Sequence, residues 1–517
     1  MPQSDSNEYY DRLNKLKEIR ESGEIPYKDR FDRTHTTKDA LKEAENKKLR
    51  SHEDIIKAPS KNLIKLCGRI VSLRSFGKIC FANLQDFDGK IQICFLENFM
   101  TEKKFKFLKK IDIADFIGIS GELFVTQKGE TTVLVYDYEL ISKSLRPLPE
   151  KWHGLQDQEQ KYRQRYLDTI MDRDSMNLFV FRSSLVKTIR EFYWSEGFIE
   201  PETPVLENIS SGASAKPFIT HHNALDIDVY LRIAAGELWQ KMAIVGGFEK
   251  TFEVAKCFRN EGIDPSHLQE FSMVEHYAAF WDYEDNMKFT EKMFEYLLKK
   301  VLGTLKVNVK NRNGDVVEID FTPPWPRRKF TEIIEKDCGI DVLKYNDDAS
   351  GLLKAIKAKK IVIEKAAHLG YGNLVDALYK KVSRSKLISP TFVIQHPLRT
   401  KPLARKNDKD DKLCDTFQLL VNGWEIVNAY SELVDPVDQR ERFEAQAKAK
   451  AGGDEEAMMM NEEYLTAMEH GMPCISGWGM GIDRLVTLLT GQENLKDSVL
   501  FPLMRPDKNF LLSNINE

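Results

Sequence analysis

Two oppositely charged side chains stand one residue apart in the segment Phe258-Arg259-Asn260-Glu261-Gly262. If the preceding residues form a strand, its alternation sends Arg259 and Glu261 to the same side. A guanidinium can hold a phosphate or a carboxylate through two parallel hydrogen bonds, and a carboxylate can accept a hydrogen bond from an amino group. The segment therefore predicts a site that orients an anionic substrate.

A second strand is predicted from Glu270 to Tyr277, after a loop that contains Asp264-Pro265-Ser266. Strand alternation places four of its residues on one face: Phe271, Met273, Glu275 and Tyr277. An aromatic ring and a carboxylate would thus join the guanidinium of the first strand. An ordinary antiparallel pair with surface charges would show the same alternation, so the pattern alone leaves both interpretations open.

The two strands resemble motif 2 of the class II aminoacyl-tRNA synthetases, and the form Arg-Asn-Glu-Gly is similar to that of the class II lysyl-tRNA synthetases (lysine-tRNA ligases). The segment Gly477-Trp478-Gly479-Met480-Gly481-Ile482-Asp483-Arg484 resembles motif 3 of the same class. Gly197 to Pro204 resembles motif 1, which contributes to a dimer interface. The resemblance extends from about Leu66 to Pro506.

The resemblance implies a nucleotide site in which two arginines, Arg259 and Arg484, are the catalytic residues. Arg259 would contact the α-phosphate and the substrate carboxylate, and Arg484 would cover the adenine and reach the γ-phosphate. The ATP-binding residues implied are Arg259, Asn260, Glu261, His267, Phe271, Glu425, Gly481, Asp483 and Arg484. Leu268-Gln269 stands where the family usually has Asn-Pro.

The resemblance also implies a lysine-binding pocket, because a buried ammonium needs anionic partners. Its residues would be Gly212, Glu237, Glu275, Tyr277, Asn428 and Glu432. The segment Ala234-Ala235-Gly236 is one residue longer than in the family, which predicts a displaced loop before Glu237. Strict alternation sends Asn428 and Glu432 to the face opposite Glu425, so a β-bulge or a twist is expected between them.

Asn422-Gly423 lies between two apolar runs and predicts a β-hairpin with a two-residue turn. In that register Gln418 faces Val427 and lies diagonal to Glu425, so the two side chains could hold a cation. The family usually has glutamates at both positions, which bind Mg²⁺ together with ATP. Because Gln418 carries no charge, the predicted Mg²⁺ site is weaker or differently composed here.

The chain is expected to be an α+β protein, with an N-terminal OB-fold β-barrel followed by a class II synthetase catalytic domain whose largely antiparallel sheet is flanked by helices. We predict a charged helical N-terminal extension at 1–60, an OB-fold anticodon-binding domain at 61–147, a linker at 148–160 and the catalytic domain at 161–517. The mixed charges of the extension favour a solvated helix over a tRNA-binding arm.

The barrel prediction rests on short strands and on the turn Asp88-Gly89 between Phe81–Leu84 and Ile91–Phe95. By resemblance Phe81 would stack on an anticodon base, although a core position would explain this residue equally well. The other residues implied in anticodon binding are Arg74, Gln92 and Glu130. The partner would be tRNA(Lys).

The composition excludes a strongly basic nucleic-acid-binding protein, because 76 Lys and Arg residues stand against 80 Asp and Glu residues. Seven scattered cysteines without a Cys-x-x-Cys pair indicate a reducing compartment and disfavour structural zinc. The sequence has neither an apolar run that could cross a bilayer nor a signal-peptide core at its start. We expect a cytoplasmic homodimer that does not enter membranes.

The function implied is ATP-dependent activation of L-lysine to lysyl-adenylate, with Mg²⁺, and transfer of the lysyl group to the 3′ end of tRNA(Lys). Two alternatives stay open. One is an aspartyl or asparaginyl enzyme of the same class, and the other is a non-catalytic tRNA-binding or scaffold paralogue.

Overall fold

A computed structural model of the protein describes residues 3–149, 155–210, 212, 215–311, 314–451 and 458–506. The chain divides into two compact units, Met1–Gln156 and Asp157–Glu517. The predicted linker 148–160 contains this boundary, and residues 150–154 lie outside the described part of the chain.

The described residues of the first unit form four helices and five strands. Its helices are α1 (Gln3–Glu21), α2 (Thr37–Asn46), α3 (His52–Lys57) and α4 (Glu102–Phe107). Its strands are β1 (Ile64–Phe76), β2 (Ile79–Gln85), β3 (Lys90–Leu96), β4 (Phe116–Val125) and β5 (Thr131–Ser142). The strands form a closed barrel in the order β1-β2-β3-β5-β4, because β4 pairs back onto β1. This is the predicted OB-fold barrel.

The hairpin β2–β3 shows why the barrel sequence folds as it does. Asp86 accepts hydrogen bonds from the backbone N–H groups of Asp88 and Gly89, which fixes the predicted turn. Cys80, Ala82 and Leu84 are buried, and they belong to the main barrel core. Alternation therefore turns the intervening residues, Phe81 among them, to the outer surface.

The N-terminal extension is helical, but the interpretation of a solvated helix is wrong. Leu16 and Ile19 of α1 are buried, and Ile19 joins the barrel core together with Ala40 of α2. Arg12 is also buried and donates to the carbonyl of Ile113 at 2.9 Å. Helix α1 has few apolar residues, yet those few suffice to bury one face of it against the barrel.

The second unit contains eleven helices and twelve strands among its described residues. The helices are α5 (Gln158–Arg163), α6 (Arg165–Met171), α7 (Arg173–Ser195), α8 (Glu237–Val245), α9 (Tyr283–Val301), α10 (Phe330–Cys338), α11 (Ala349–Ala358), α12 (Tyr371–Val382), α13 (Pro436–Ala451), α14 (Glu462–Glu469) and α15 (Ile482–Leu489). The strands are β6 (Leu206–Glu207), β7 (Ile219–His222), β8 (Ile227–Leu231), β9 (Lys250–Phe258), β10 (Glu270–Ala279), β11 (Lys306–Lys310), β12 (Val316–Asp320), β13 (Arg327–Lys329), β14 (Thr391–Ile394), β15 (Thr416–Val421), β16 (Trp424–Ser431) and β17 (Ile475–Gly481).

Seven of these strands form the central sheet, in the order β13-β14-β15-β16-β17-β10-β9. All neighbours are antiparallel except β13 and β14, which confirms the predicted fold class. Helices α7 and α9 supply Phe192, Tyr193 and Phe289 to the core against the sheet. Helix α9 begins with a capping box between Asp282 and Asp285.

The hairpin β15–β16 turns at Asn422-Gly423 as predicted, and both residues have positive φ, +51° and +69°. Its register differs from the prediction, because Gln418 lies opposite Asn428 and not opposite Val427. One step from Leu419 to Leu420 corresponds to two steps on β16, so Ile426 is the extra residue of a bulge. This is the expected β-bulge, and it lets Glu425 and Asn428 face the same side.

In the described part of the chain, no helix is both long enough and apolar enough to span a bilayer.

Candidate active site

One face of the central sheet forms the floor of a cavity of about 350 Å³. Most of the residues predicted to bind ATP or lysine line it: Gly212, Glu237, Arg259, Glu261, His267, Phe271, Glu275, Tyr277, Glu425, Asn428, Glu432, Gly481, Asp483 and Arg484. Asn260 and Gln418 are not among the described lining residues. Asn260 is exposed, and its backbone N–H donates to the carbonyl of Lys216.

The strand pairings fix the order of the groups along the cavity floor. Glu275, Gly479, Asn428 and Gln418 are successive partners in one row across β10, β17, β16 and β15. Along β16 the cavity residues run from Glu432 and Tyr430 at one end, through Asn428, to Glu425 at the other. The cavity thus has two ends with different chemistry.

Three buried carboxylates and one buried lysine form the first end, which we call the acidic end: Glu237, Glu275, Glu432 and Lys241. Lys241 Nζ lies 2.7 Å from Glu237 Oε1 and 2.6 Å from Glu432 Oε2. Tyr277 donates to Glu275 and Tyr430 donates to Glu237, at 3.2 and 2.8 Å. With all four groups ionised, three carboxylates and one ammonium leave a net charge of −2.

Glu432 has acceptor capacity that the described residues do not use. Lys241 is close enough for an ion pair, but neither carboxylate oxygen of Glu432 meets the geometry of a hydrogen bond with a described group. A buried carboxylate without hydrogen bonds is costly, so a ligand that donates here would bind favourably.

Burial dominates the ionisation of the acidic end. It raises the pKa of the Glu275 carboxyl to about 7, and Glu237 adds to the shift, while the N–H of Ala235 and the Tyr277 hydroxyl oppose it. Burial likewise raises the pKa of Glu432 to about 8; Lys241 opposes this, and Glu237 and Glu275 add to it. A cation bound beside these carboxyls would lower both pKa values and favour the ionised forms.

The loop before Glu237 was predicted to be displaced, but Glu237 lines the cavity. Gly236 has φ +69° and precedes the first residue of α8, and a Cβ there would clash with Thr203. The N–H of Ala235 donates to Glu275 at 3.1 Å. The loop thus keeps Glu237 in the cavity and donates a hydrogen bond to Glu275.

Cationic side chains gather at the other end, which we call the cationic end. The Arg259 guanidinium lies over the ring of Phe271, at 5.1 Å from its centroid. Arg484 donates to the carbonyl of Glu425 at 3.1 Å. Burial raises the pKa of Glu425, but Arg484, Arg384 and Lys401 outweigh it, so that the pKa of this carboxyl is lowered and it stays ionised.

Leu268 and Gln269 end the loop between β9 and β10, and Gln269 closes it by hydrogen bonds. Gln269 donates to the carbonyl of Gly262, and its own carbonyl accepts from the N–H of Arg259. Leu268 lines the cavity beside His267, whose Nδ1 lies 2.7 Å from Asp264. The loop therefore holds Arg259 by its backbone while presenting an apolar side chain to the cavity.

Asp483 was predicted to bind ATP, but its carboxylate is already engaged by protein groups. One oxygen accepts from Arg182 at 2.5 Å, and the other accepts from the N–H of Ser272 at 2.6 Å. It ties α15 to α7 and β10, and so positions the neighbouring Arg484. We regard it as a positioning residue.

Sequence reasoning missed two lysines of this site. Lys241 follows Glu237 by four residues on α8, and that helical spacing was the signal that could have found it. Lys401 lies in an irregular segment, where no periodicity points to it, and its Nζ is 2.6 Å from Oδ1 of Asn428. It is the one lysine among the described residues that line the cavity.

The predicted anticodon-binding residues lie on neighbouring strands of the barrel. Arg74 and Phe81 are direct partners in β1 and β2. Phe81 is half-buried in a small apolar cluster separate from the main barrel core, and Gln92 donates to Thr132 at 2.8 Å. Glu130 is exposed in the turn before β5. Phe81 therefore does not belong to the main barrel core, and it packs against this small outer cluster.

Taken together, the acidic end suits a cationic amino acid and the cationic end suits a polyphosphate. Residues 157–505 match the family model of the class II tRNA synthetases (D, K and N), and residues 64–147 match the model of the OB-fold nucleic acid binding domain. The chain is thus a member of the class II tRNA synthetases.

The relatives narrow the family further. The chain is 45% identical over 495 residues to the lysine–tRNA ligase of Carboxydothermus hydrogenoformans, which covers 96% of this chain and 97% of the relative. It is 46% identical over 451 residues to the lysine–tRNA ligase of Aquifex aeolicus, and the matched region covers 87% of this chain and 74% of the relative. It is 43% identical over 496 residues to the lysine–tRNA ligase of Thermosipho africanus, and the matched region covers 96% of this chain and 95% of the relative. The chain belongs to the lysine–tRNA ligase family.

Proposed function

We propose that this protein activates L-lysine with ATP and transfers the lysyl group to the 3′ end of tRNA(Lys). The observation that carries the proposal is the order of groups along one strand. Glu432 and Tyr430 lie at the acidic end, Asn428 lies in the middle and Glu425 lies beside Arg484. A zwitterion with a long cationic side chain and a nucleotide triphosphate could therefore lie end to end.

In the first step a carboxylate oxygen of lysine forms a bond to the α-phosphorus of ATP. The bond from that phosphorus to the oxygen bridging to the β-phosphate breaks, and pyrophosphate leaves. Because the substrate carboxylate is the nucleophile, the protein needs no general base, and its task is to orient two anions and to offset their charge. Arg259 is assigned to the α-phosphate and Arg484 to the γ-phosphate and the adenine.

In the second step a ribose hydroxyl at the 3′ end of the tRNA attacks the carbonyl carbon of lysyl-adenylate. The carbon–oxygen bond to AMP breaks, and one proton is released. Glu237, Glu275 and Glu432 would hold the two ammonium groups of the lysyl moiety during both steps, which orients the carbonyl.

We propose that Mg²⁺ accompanies ATP. Mg²⁺ usually binds through one or two carboxylates together with substrate phosphates, and when bound it offsets phosphate charge. Glu425 and the amide oxygen of Gln418, which lies diagonal to it on the same face, would hold the ion. Carboxylate and amide oxygens fit Mg²⁺ by their chemistry, but the set offers a single negative charge, and only Glu425 of the two is a described lining residue of the cavity.

We propose that the barrel binds the anticodon of tRNA(Lys) through Arg74, Phe81, Gln92 and Glu130. Support comes from the half-exposed ring of Phe81 beside the cationic Arg74, since stacking with neighbouring cations is how such barrels hold single strands. We also propose the division into 1–60, 61–147, 148–160 and 161–517, which is supported by the boundary between the two units at Gln156 and Asp157.

We propose a homodimer. The sheet β6-β8-β7 exposes apolar side chains that a partner could cover: Leu206 is 50% exposed, Ile219 61% and Ile227 40%. Exposed apolar surface of this kind marks interaction sites. All seven cysteines are free thiols, which supports a cytoplasmic location.

The alternative of an aspartyl or asparaginyl enzyme is disfavoured. A pocket of three carboxylates would repel the side chain of aspartate, and the uncharged amide of asparagine would leave carboxylate oxygens of the pocket without donors. A scaffold paralogue without activity is disfavoured by the ordered cavity.

The experiment that tests the proposal is exchange of labelled pyrophosphate into ATP with each amino acid in turn. We expect lysine alone to support exchange. Exchange with aspartate or asparagine would favour the other specificities, and no exchange with any amino acid would favour the scaffold.

A further inference from the structure

Lys401 lies at the junction of the acidic and cationic ends. Its Nζ is 2.6 Å from Oδ1 of Asn428, the middle residue of the row of cavity groups on β16. Glu425 lies on the cationic side of Asn428, and Glu432 lies on the acidic side. A ligand that spans both ends would pass beside this ammonium.

The backbone holds Lys401 in place. Its N–H donates to the carbonyl of Leu398, and its carbonyl accepts from the N–H of Ala404. The segment then runs antiparallel to the end of β16, where Ala404 bridges Glu432. These contacts fix the backbone of Lys401, and the hydrogen bond from Nζ to Asn428 orders its ammonium, so that ordering it on ligand binding costs little.

The surrounding charges leave Lys401 available to an anion. Its described hydrogen-bond partner is the neutral amide of Asn428, and Glu425, a carboxyl whose pKa it helps to lower, is also neighboured by Arg484 and Arg384. In the sheet, Asn428 is on β16, and Arg259 follows β9 three strands away. Both cations line the cavity, Arg259 at the end of β9 and Lys401 beside Asn428 of β16.

We propose that Lys401 contacts the reacting groups of the first step, the carboxylate of lysine and the α-phosphate that it attacks. This inference rests on the proposed function. Because Gln418 is neutral and Glu425 is the single carboxylate of the proposed Mg²⁺ site, fewer bound metal ions offset the negative charge of the phosphates. The ammonium of Lys401 offsets part of the charge that remains. Lys401 is accordingly a catalytic residue, and it lowers the Mg²⁺ concentration that activation requires.

The test uses the full-length protein and its variant Lys401→Met. The probe is a non-hydrolysable lysyl-adenylate analogue, lysyl-sulfamoyl adenosine, whose affinity is measured by calorimetry. We expect a loss of about 10- to 100-fold in affinity, the size of one hydrogen bond to a charged group. Lys409→Met removes an exposed lysine from the same segment and is the matched control, for which we expect no change.

Two further measurements separate a chemical role from a structural one. We expect Lys401→Met to bind ATP more weakly than wild type in EDTA and to need more Mg²⁺ for half-maximal pyrophosphate exchange. Adding Gln418→Glu to Lys401→Met should restore exchange at high Mg²⁺. The added carboxylate favours binding of Mg²⁺, and the metal ion then offsets the phosphate charge that Lys401 no longer offsets. Lys401→Arg keeps the charge and should keep most of the affinity.

The outcomes are distinguishable. Wild-type protein that fails to exchange pyrophosphate with lysine overturns the proposed function itself. Wild type that exchanges, together with a Lys401→Met variant of unchanged analogue affinity and unchanged Mg²⁺ dependence, overturns this inference alone. Equal losses in Lys401→Met and Lys401→Arg with a lowered melting temperature would also overturn it, because they indicate a structural role.

Discussion

At the scale of single residues, specificity for a cation depends on how three carboxylates share one internal lysine. Lys241 offsets one negative charge, so the pocket is not left with three uncompensated carboxylates, yet Glu432 keeps free acceptor capacity. Burying like charges together would otherwise be prohibitive. The internal lysine thus makes an acidic pocket possible in a folded protein.

Glu432→Gln is expected to raise the KM for lysine in pyrophosphate exchange by about 30-fold or more, because removing one partner of a buried charge pair costs about 2 kcal/mol or more. The KM for ATP should stay near that of wild type. Glu463→Gln, at an exposed position of α14, is the control. A lysine KM that the Glu432 variant leaves unaltered would contradict the assignment.

Lysine binding is expected to strengthen between about pH 6 and about pH 8, where burial places the pKa values of Glu275 and Glu432. The ammonium of lysine favours the ionised carboxylates, so binding should release protons. Calorimetry in two buffers of different ionisation enthalpy measures that release. Binding without proton release would mean that the carboxylates are already ionised in the empty pocket.

The raised pKa values of Glu275 and Glu432 also determine how the free energy of unfolding changes with pH. Their pKa values are raised in the folded protein, so it binds more protons than the unfolded chain between the ordinary carboxyl range and about pH 8. Their contribution to the free energy of unfolding therefore falls as the pH rises through that window.

At the scale of elements, glycines at strained positions hold the site together. Gly236→Ala should raise the KM for lysine by about 10-fold or more and lower the melting temperature, because positive φ and contact with Thr203 would displace Glu237. Gly370→Ala, where φ is negative and space is open, is the matched control. Equal behaviour of the two variants would refute a role for the loop before α8.

The hairpin β15–β16 has one feature that the sequence predicted correctly, its turn, and one that it did not, its register. Asn422-Gly423 predicted the turn, because few other residue pairs accept positive φ twice. The alternation conflict at Asn428 predicted a bulge, but nothing in the sequence located it at Ile426, so the partner of Gln418 was predicted wrongly. A bulge depends on packing across the sheet, which a local pattern does not record.

The same limit applies to the cavity. Alternation predicted that Glu275 and Tyr277 share one face of a strand, and the family resemblance assigned both residues to the lysine pocket. Lys401 was missed because an irregular segment carries it, and its position depends on hydrogen bonds to distant parts of the chain. The engagement of Asp483 by Arg182 likewise joins residues far apart in sequence.

At the scale of the whole molecule, amino-acid activation and anticodon binding are assigned to separate units of the chain. This division predicts that they can be impaired independently. A change on the barrel should affect only reactions that involve tRNA.

Phe81→Ala is therefore expected to lower kcat/KM for charging of tRNA(Lys) by about 10-fold, since stacking on a base contributes about 1–3 kcal/mol. Pyrophosphate exchange, which needs no tRNA, should be unaffected. Phe76→Ala removes an exposed ring from β1 and serves as the control. A Phe81 variant that charges tRNA(Lys) at the wild-type rate would argue against the assigned anticodon surface.

The most direct measurement is a crystal structure of the protein with lysine and a non-hydrolysable ATP analogue. We predict the ε-ammonium of lysine within hydrogen-bonding distance of Glu275 or Glu432, and the triphosphate between Arg259 and Arg484. An ammonium bound away from both carboxylates, or a triphosphate that touches neither arginine, would contradict the account.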